Sequence, residues 1–240
     1  MNRVATWFEQ QWTRRSYWQF VLLPVSWLFA LAATLRRIAY RRGWLNSEKL
    51  PLPVIIVGNI TVGGSGKTPL VIALVEQLRA AGYVPGVISR GYGGKERSPF
   101  EVGPLSDPVD VGDEPVLIAA RTEAPLFVGR DRVAAAKALL ESHPNCDVII
   151  SDDGLQHYRL QRDVEIVVVD GPSGFGNARL LPAGPLREPL RRLQQVDFVV
   201  SNGVERDPAA TSMPLASAAW MPGESIFTGW PWAMRLSGQV

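Results

Sequence analysis

The chain predicts a doubly wound, mostly parallel α/β sheet with a helical segment ahead of it. Three observations carry that expectation. Short apolar runs that do not alternate recur along the chain, as in strands buried on both faces. Helical stretches fall between several of them. A glycine-rich turn joins the first run, Val54-Ile55-Ile56-Val57, to the first of these helices. With 240 residues, 46 % hydrophobic and 20 % charged, the chain has the length and composition of a folded protein with one good core.

The expected strands after the first are Val84–Ser89, Ala124–Val128, Val148–Ser151, Val164–Val169 and Phe198–Ser201. The expected helices include Thr68–Ala81, which stops at Gly82, and Arg130–Ser142, which stops before His143-Pro144. Ligands in such sheets bind at the carboxyl ends of the strands. Pro51-Leu52-Pro53 is a stiff linker into the first strand.

The turn after the first strand reads Gly58-Asn-Ile-Thr-Val-Gly-Gly-Ser-Gly-Lys-Thr-Pro69. Phosphates need close backbone approach, which Gly63, Gly64 and Gly66 permit, and amides aimed inward at a helix N-terminus. Thr61, Val62, Gly63, Gly64, Ser65 and Gly66 thus form a candidate cradle. Lys67 supplies a cation for the outer phosphates and Thr68 a hydroxyl for Mg²⁺. Thr61 stands where the usual pattern has its first glycine. The body is therefore P-loop NTPase-like, and the chain is expected to handle a nucleoside triphosphate.

Further candidates lie at strand ends. Val148–Ser151 runs into Asp152-Asp153, and an acidic strand end in such proteins holds Mg²⁺. A solvated turn is the competing account, since Gly154 follows. Asp170 ends another strand in the same way. His157, one of two histidines, follows in Asp152-Asp153-Gly154-Leu155-Gln156-His157. Ser89-Arg90-Gly91-Tyr92-Gly93-Gly94 follows the second strand and could grip phosphate or sugar. Val111-Gly112-Asp113-Glu114-Pro115 places two acids before a helical stretch. Asp113 suits either a helix cap or a general base toward a hydroxyl. Leu181–Pro189 holds an Arg187-Glu188 pair, for which a surface ion pair is the simplest account.

Net charge is +2 but unevenly spread. Residues 1–50 hold eight Arg and Lys against Glu9 and Glu48, a net of +6, leaving −4 on the other 190. Ser16–Leu35 has no charge, with Arg14-Arg15 before it and Arg36-Arg37 after it. Five of eight tryptophans (Trp7, Trp12, Trp18, Trp27 and Trp44) lie in this N-terminal segment. Arg and Trp favour the headgroup zone, and Pro24, Gln19, Ser26 and Thr34 interrupt the apolar run. A helix lying in a membrane interface fits this mix better than a single span or a soluble core helix. Nucleic acid is not the expected partner, because the basic residues flank an apolar stretch. Cys146 is alone, so no disulfide framework or cysteine zinc site is expected.

Taken in order, GNITVGGSGKTP, SRGYGG, VGDEP, DDGLQH and LLPAGPLREP closely resemble the tetraacyldisaccharide 4′-kinase family, the lipid A 4′-kinases of Gram-negative bacteria. The resemblance runs from about residue 15 to residue 203. It implies transfer of the ATP γ-phosphate to the 4′-hydroxyl of a tetraacylated glucosamine disaccharide 1-phosphate, the lipid A disaccharide precursor. It also implies work at the cytoplasmic face of the bacterial inner membrane. Lys67 would then contact the β- and γ-phosphates and Thr68 Mg²⁺. Asp113 would be the general base, with Glu114 beside it, and Asp152 and Asp153 would organise Mg²⁺ and the triphosphate. Arg187 and Glu188 would sit near the phosphates and the metal, with Arg90 and His157 in the active site.

Three segments are expected: residues 1–50 membrane-associated, 51–204 the kinase core and 205–240 a remnant of, or linker to, a second lobe. The family's C-terminal lobe carries an Asp-His-His type motif that is absent here, where the only histidines are His143 and His157. The expectation is that this lobe is truncated or replaced and the base lacks its partner, so an inactive kinase is one alternative. A membrane-associated P-loop switch or ATPase is another, but leaves the candidate base unexplained, and no Asn-Lys-x-Asp stretch follows a late strand.

Overall fold

The structure is a computed structural model. It describes residue 12, residues 17–94 and 99–203, and the backbone of 217–220. Arg14, Arg15, Trp7 and nearly all of the expected remnant at 205–240 lie outside the described residues. The chain forms two compact units that do not follow chain order. One draws on Glu48–Gly58 and Gly66–Glu165, the other on Met1–Ser47, Asn59–Ser65 and Ile166–Ala219.

The first unit holds β1 (Val54–Gly58), β2 (Pro85–Ser89), β3 (Phe100–Glu101), β4 (Leu126–Val128) and β5 (Val148–Asp152). Their order in the sheet is β3-β4-β2-β5-β1. The pairs β4–β2, β2–β5 and β5–β1 are parallel; only the two-residue edge strand β3 is antiparallel. Every residue of β1, β2, β4 and β5 is buried, which explains why these runs do not alternate. β5 inserts between β1 and β2. The register Val57↔Asp152 and Ile88↔Ser151 brings the carboxyl ends of all three strands level. That end is where the phosphate loop leaves β1.

To describe both units in chain order, α1 is Tyr17–Arg41, α2 Lys67–Ala80, α3 Pro108–Val111, α4 Asp113–Thr122 and α5 Arg132–Ser142. Helix α2 packs on β1, β2, β5 and α4, and α5 on β2 and β4. Leu70, Leu74 and Leu78 of α2 are fully buried with Ile56, Ile88 and Ile150. Each such side chain contributes about 1.5–3 kcal/mol of transfer free energy. Pro69 is tolerated because the first-turn amides of α2 have no intrahelical partner. Gly82, at φ 91°, ends the helix, with Tyr83 N donating to Leu78 O.

The glycines of SRGYGG have a packing role. A Cβ on Gly94 would stand 2.3 Å from Asp110 O, and one on Gly112 2.6 Å from Tyr92 O. The two turns thus meet backbone to backbone, setting the entry to α4. Gly94→Ala is expected to lower stability by about 1–3 kcal/mol in denaturant unfolding, since the obstructing atom is main chain.

The second unit holds β7 (Phe198–Asn202), parallel to β6 (Val164–Asp170), with β8 (Ser217–Trp220) next to β7. The 3₁₀ helix Leu190–Gln195 leads into β7. The same unit contains α1, which runs unbroken through Pro24 and beyond the uncharged stretch that ends at Leu35. It is long and apolar enough to cross a membrane, with a mean hydropathy of 1.7 over its best window. Trp18, Phe20, Val21, Trp27 and Leu28 are each more than half exposed. The buried residues of α1 are Gln19 and Ser26, seven apart and so on one face. Over residues 17–31 the helix is inside out for a water-soluble protein: its two buried side chains are polar, whereas Trp18, Phe20, Val21, Trp27 and Leu28 are exposed.

Candidate active site

Lys67 opens α2, behind Gly66 at φ 77°. That left-handed turn favours glycine and delivers the lysine side chain, only 10 % exposed, to the end of the sheet. Its Nζ is 3.5 Å from Asp153 Oδ1. Thr68 and Ser65 are buried, whereas Val62, Gly63 and Gly64 are exposed and Thr61 half-buried. Asn59 steadies the loop's start, its amide donating to Thr61 Oγ1 at 3.5 Å and Gly63 O at 3.4 Å. The loop therefore combines a fixed base with an open rim.

Asp152 ends β5 and is 1 % exposed. Its Oδ2 accepts from Ser89 Oγ at 3.0 Å, while its Oδ1 is buried with no hydrogen-bond partner among the described residues. Burial raises its pKa to about 6, assisted by the negative charges of Glu114 and Asp153 and opposed by Lys67 and the Ser89 bond. A buried carboxylate with one idle oxygen, beside two further acids, suits a hard cation with oxygen ligands. Thr68 and Asp152, both in this unit, fit Mg²⁺ on that ground. Among the described residues no three His, Cys, Asp or Glu side chains cluster as a ready metal cage.

The raised pKa has a thermodynamic consequence. The native state holds the Asp152 proton more tightly than the unfolded chain does. Stability without ligand therefore falls as pH rises from about 4 to about 6, by on the order of 3 kcal/mol, and the full cost persists above that range. Asp152→Asn is expected to melt higher than the parent above pH 6 without Mg²⁺ or nucleotide, and alike below pH 4. Thermal unfolding across pH checks this; a variant that melts lower throughout overturns it.

Several contributors were not expected from sequence. Arg132, 2 % exposed, donates to Gly129 O at 2.9 Å and to the carbonyls of Asp152 and Asp153, both at 3.4 Å. Burial lowers its pKa to about 10 against the raising effect of the two aspartates. Arg162 donates to the carbonyls of Leu155 (2.9 Å), His157 (2.6 Å) and Leu160 (3.1 Å), and pairs with Glu165 at 2.9 Å. It thereby clasps the turn that follows Asp153. No spacing rule reaches either arginine, because both act on main-chain carbonyls of a non-repetitive turn.

His157 Nε2 lies 3.9 Å from Asp131 Oδ1. Asp131 caps α5 by accepting from Val133 N and also pairs with Arg159. Asp113 is the first residue of α4 and is exposed. The capping account fails for it, since Gly112 holds the cap position and no side chain caps the helix. Glu114 follows, also exposed. Arg90 is exposed and Asp170 half-buried at the end of β6.

Arg187 and Glu188 belong to the second unit. The surface-pair account fails: Glu188 is 4 % exposed and pairs with buried Arg192 at 3.2 Å. Their i,i+4 spacing was the available signal. Arg187 N donates to Ile60 O at 2.7 Å, and Val62 N donates to Pro185 O at 2.8 Å. Thr61 and Leu186 form the antiparallel bridge between these hydrogen bonds. The LREP segment is thus strapped to the first half of the phosphate loop.

The model of the family described as "Tetraacyldisaccharide-1-P 4'-kinase" matches residues 18–227. A tetraacyldisaccharide 4'-kinase of Methylobacillus flagellatus is 59 % identical over 199 residues, covering 83 % of this chain and 59 % of the relative. One from Chromobacterium violaceum is 57 % identical, covering 90 % and 64 %. One from Aeromonas hydrophila is 50 % identical, covering 97 % and 69 %. The chain thus spans about three fifths of the length of the first two. The crystal structure of LpxK from Aquifex aeolicus in complex with ATP superposes with a TM-score of 0.69 at 36 % identity, over 76 % of this chain and 58 % of that one. With a family model matched across residues 18–227, this chain belongs to the tetraacyldisaccharide 4′-kinase family.

Proposed function

We propose that the chain transfers the γ-phosphoryl group of ATP to the 4′-hydroxyl of a tetraacylated glucosamine disaccharide 1-phosphate. The observation that carries this reading is the pairing of Lys67 with Asp153 beside buried Asp152, at level strand ends where the phosphate loop begins. The substrate follows from the family, whose members are named for it.

In this reading the loop amides of residues 61–66 and the Lys67 ammonium hold the β- and γ-phosphates, with Arg187 adding positive charge. Asp113 accepts the proton of the 4′-hydroxyl as its oxygen bonds to the γ-phosphorus. The bond from that phosphorus to the β,γ-bridging oxygen breaks, and ADP leaves with the electron pair. Thr68 and Asp152, with Glu188 as a further candidate, would hold Mg²⁺, which when bound neutralises charge on the β- and γ-oxygens. Asp153 keeps Lys67 aimed, and His157 steadies the turn behind it through Asp131. Most of the acceleration comes from positioning and charge compensation.

The outward apolar face of α1 supports a place on the cytoplasmic face of the inner membrane, where the acyl chains of the substrate lie. Residues 51–204 would form the kinase core and 1–50 the membrane-associated segment. The deciding experiment is transfer of labelled phosphate from γ-labelled Mg-ATP to the tetraacyl disaccharide 1-phosphate in detergent micelles. Labelled lipid is the expected result. Its absence, with folded protein that binds ATP, would overturn the acceptor assignment for this chain.

A further inference from the structure

Ser26 is a polar residue in an apolar helix, and it is 4 % exposed. Its hydroxyl is fully used. It donates to Leu180 O at 3.0 Å and accepts from Ala183 N at 3.0 Å. The segment it grips is the stretch that runs into LREP. Trp12 Nε1 donates to Pro182 O at 3.1 Å in the same stretch, and the Arg179 guanidinium stands 5.1 Å from the Phe20 ring centroid. Two residues beyond Ala183, the chain reaches the phosphate loop: Pro185 O accepts from Val62 N and Arg187 N donates to Ile60 O. Inside the stretch, Leu181 N donates to Leu186 O, Gly184 N to Leu180 O and Leu186 N to Arg179 O. These cross-links make it a stiff element that transmits position. All of these residues lie in one compact unit.

We propose that Ser26 is a positioning residue for nucleotide binding: by holding residues 179–187 it fixes residues 60–62, and with them the first half of the phosphate loop. The inference rests on the reading of that loop as the ATP site. Removing the hydroxyl leaves the Ala183 amide without its acceptor and Leu180 O without one of its two donors, so the segment shifts to find others. A displacement of about 1 Å in a positioning element costs up to about 100-fold in such sites. The helix that meets the lipid therefore also shapes the loop that meets the nucleotide.

The test is steady-state kinetics of the full protein in detergent micelles, varying ATP and lipid separately, with binding of a non-hydrolysable ATP analogue measured alongside. Ser26→Ala is expected to raise the KM for ATP and the analogue Kd by about 5–20-fold, with the KM for lipid within twofold. Ser26→Thr, which restores the hydroxyl, is expected to return both to within about threefold of the parent. A merely structural serine would lower the melting temperature and the active fraction but leave the KM for ATP in place. An unchanged KM for ATP in folded Ser26→Ala overturns the proposal. Should that variant not fold, Trp12→Phe decides, since it removes only an indole donor: a rise of about 2–5-fold is expected, and no rise overturns. A parent protein that fails to bind the analogue overturns the ATP-site reading itself, and the proposal with it. Parent binding with unaltered variant affinity overturns the Ser26 proposal alone.

Discussion

Lys67→Ala is expected to reduce phosphoryl transfer by on the order of 10³-fold or more while the protein stays folded. The lysine opens α2 with its ammonium 3.5 Å from Asp153, in a site that also holds buried Asp152. In the proposed reaction this cation would compensate charge that grows on the transferred group, and a preorganised donor of that kind is typically worth about 10²–10³-fold. A second loss comes from the acids. Without the lysine, Asp152 loses a positive charge that lowers its pKa, so it moves further toward its neutral form. A protonated Asp152 is a poorer partner for Mg²⁺. The fold itself is expected to survive, because the side chain sits at the first position of α2, outside the apolar core of Leu70, Leu74 and Leu78. Transfer of labelled phosphate, with circular dichroism as the control, measures both. A rate within threefold of the parent would remove the phosphate loop from the reaction.

Asp113→Ala is expected to cut turnover by about 10²–10⁴-fold with ATP affinity nearly kept, the usual worth of a general base. Two structural facts favour this split. Asp113 begins α4, yet the cap position belongs to Gly112, so the carboxylate has no structural duty at the helix end. It is also exposed, where a hydroxyl acceptor could reach it. The variant should accordingly melt close to the parent. If ATP binding falls instead, Asp113 holds the metal and another group takes the proton.

The buried strands and the phosphate loop were legible in the sequence because each rests on a local rule. β5 was expected at Val148–Ser151 and found at Val148–Asp152; α2 was expected from Thr68 and starts at Lys67. Their apolar runs, and glycine followed by lysine, need no knowledge of distant contacts. The acidic pair at 152–153 was legible for the same reason. What escaped was everything settled by tertiary contact. The two-residue strand β3 exists only by pairing with β4. Ser89 became part of the site because β2 and β5 are in register, and Arg132 because the start of α5 folds over the end of β5. The role of SRGYGG as a tight backbone contact was hidden likewise, since a glycine's neighbour across space leaves no trace in its own segment.

Arg162 gives the turn after Asp153 an unusual failure mode. Residues 155, 157 and 160 each direct a carbonyl to the same guanidinium. In a helix or strand such groups would be shared out among many amides, and losing one partner would fray one position. Here a single planar fork adds to the turn's backbone hydrogen bonds by serving three carbonyls at once, so those three contacts are gained or lost together. Lysine has the charge without the fork and could not serve all three at once. A single substitution at Arg162 would therefore release three carbonyls of the turn after Asp153 at once, a loss that in a regular element would take several changes.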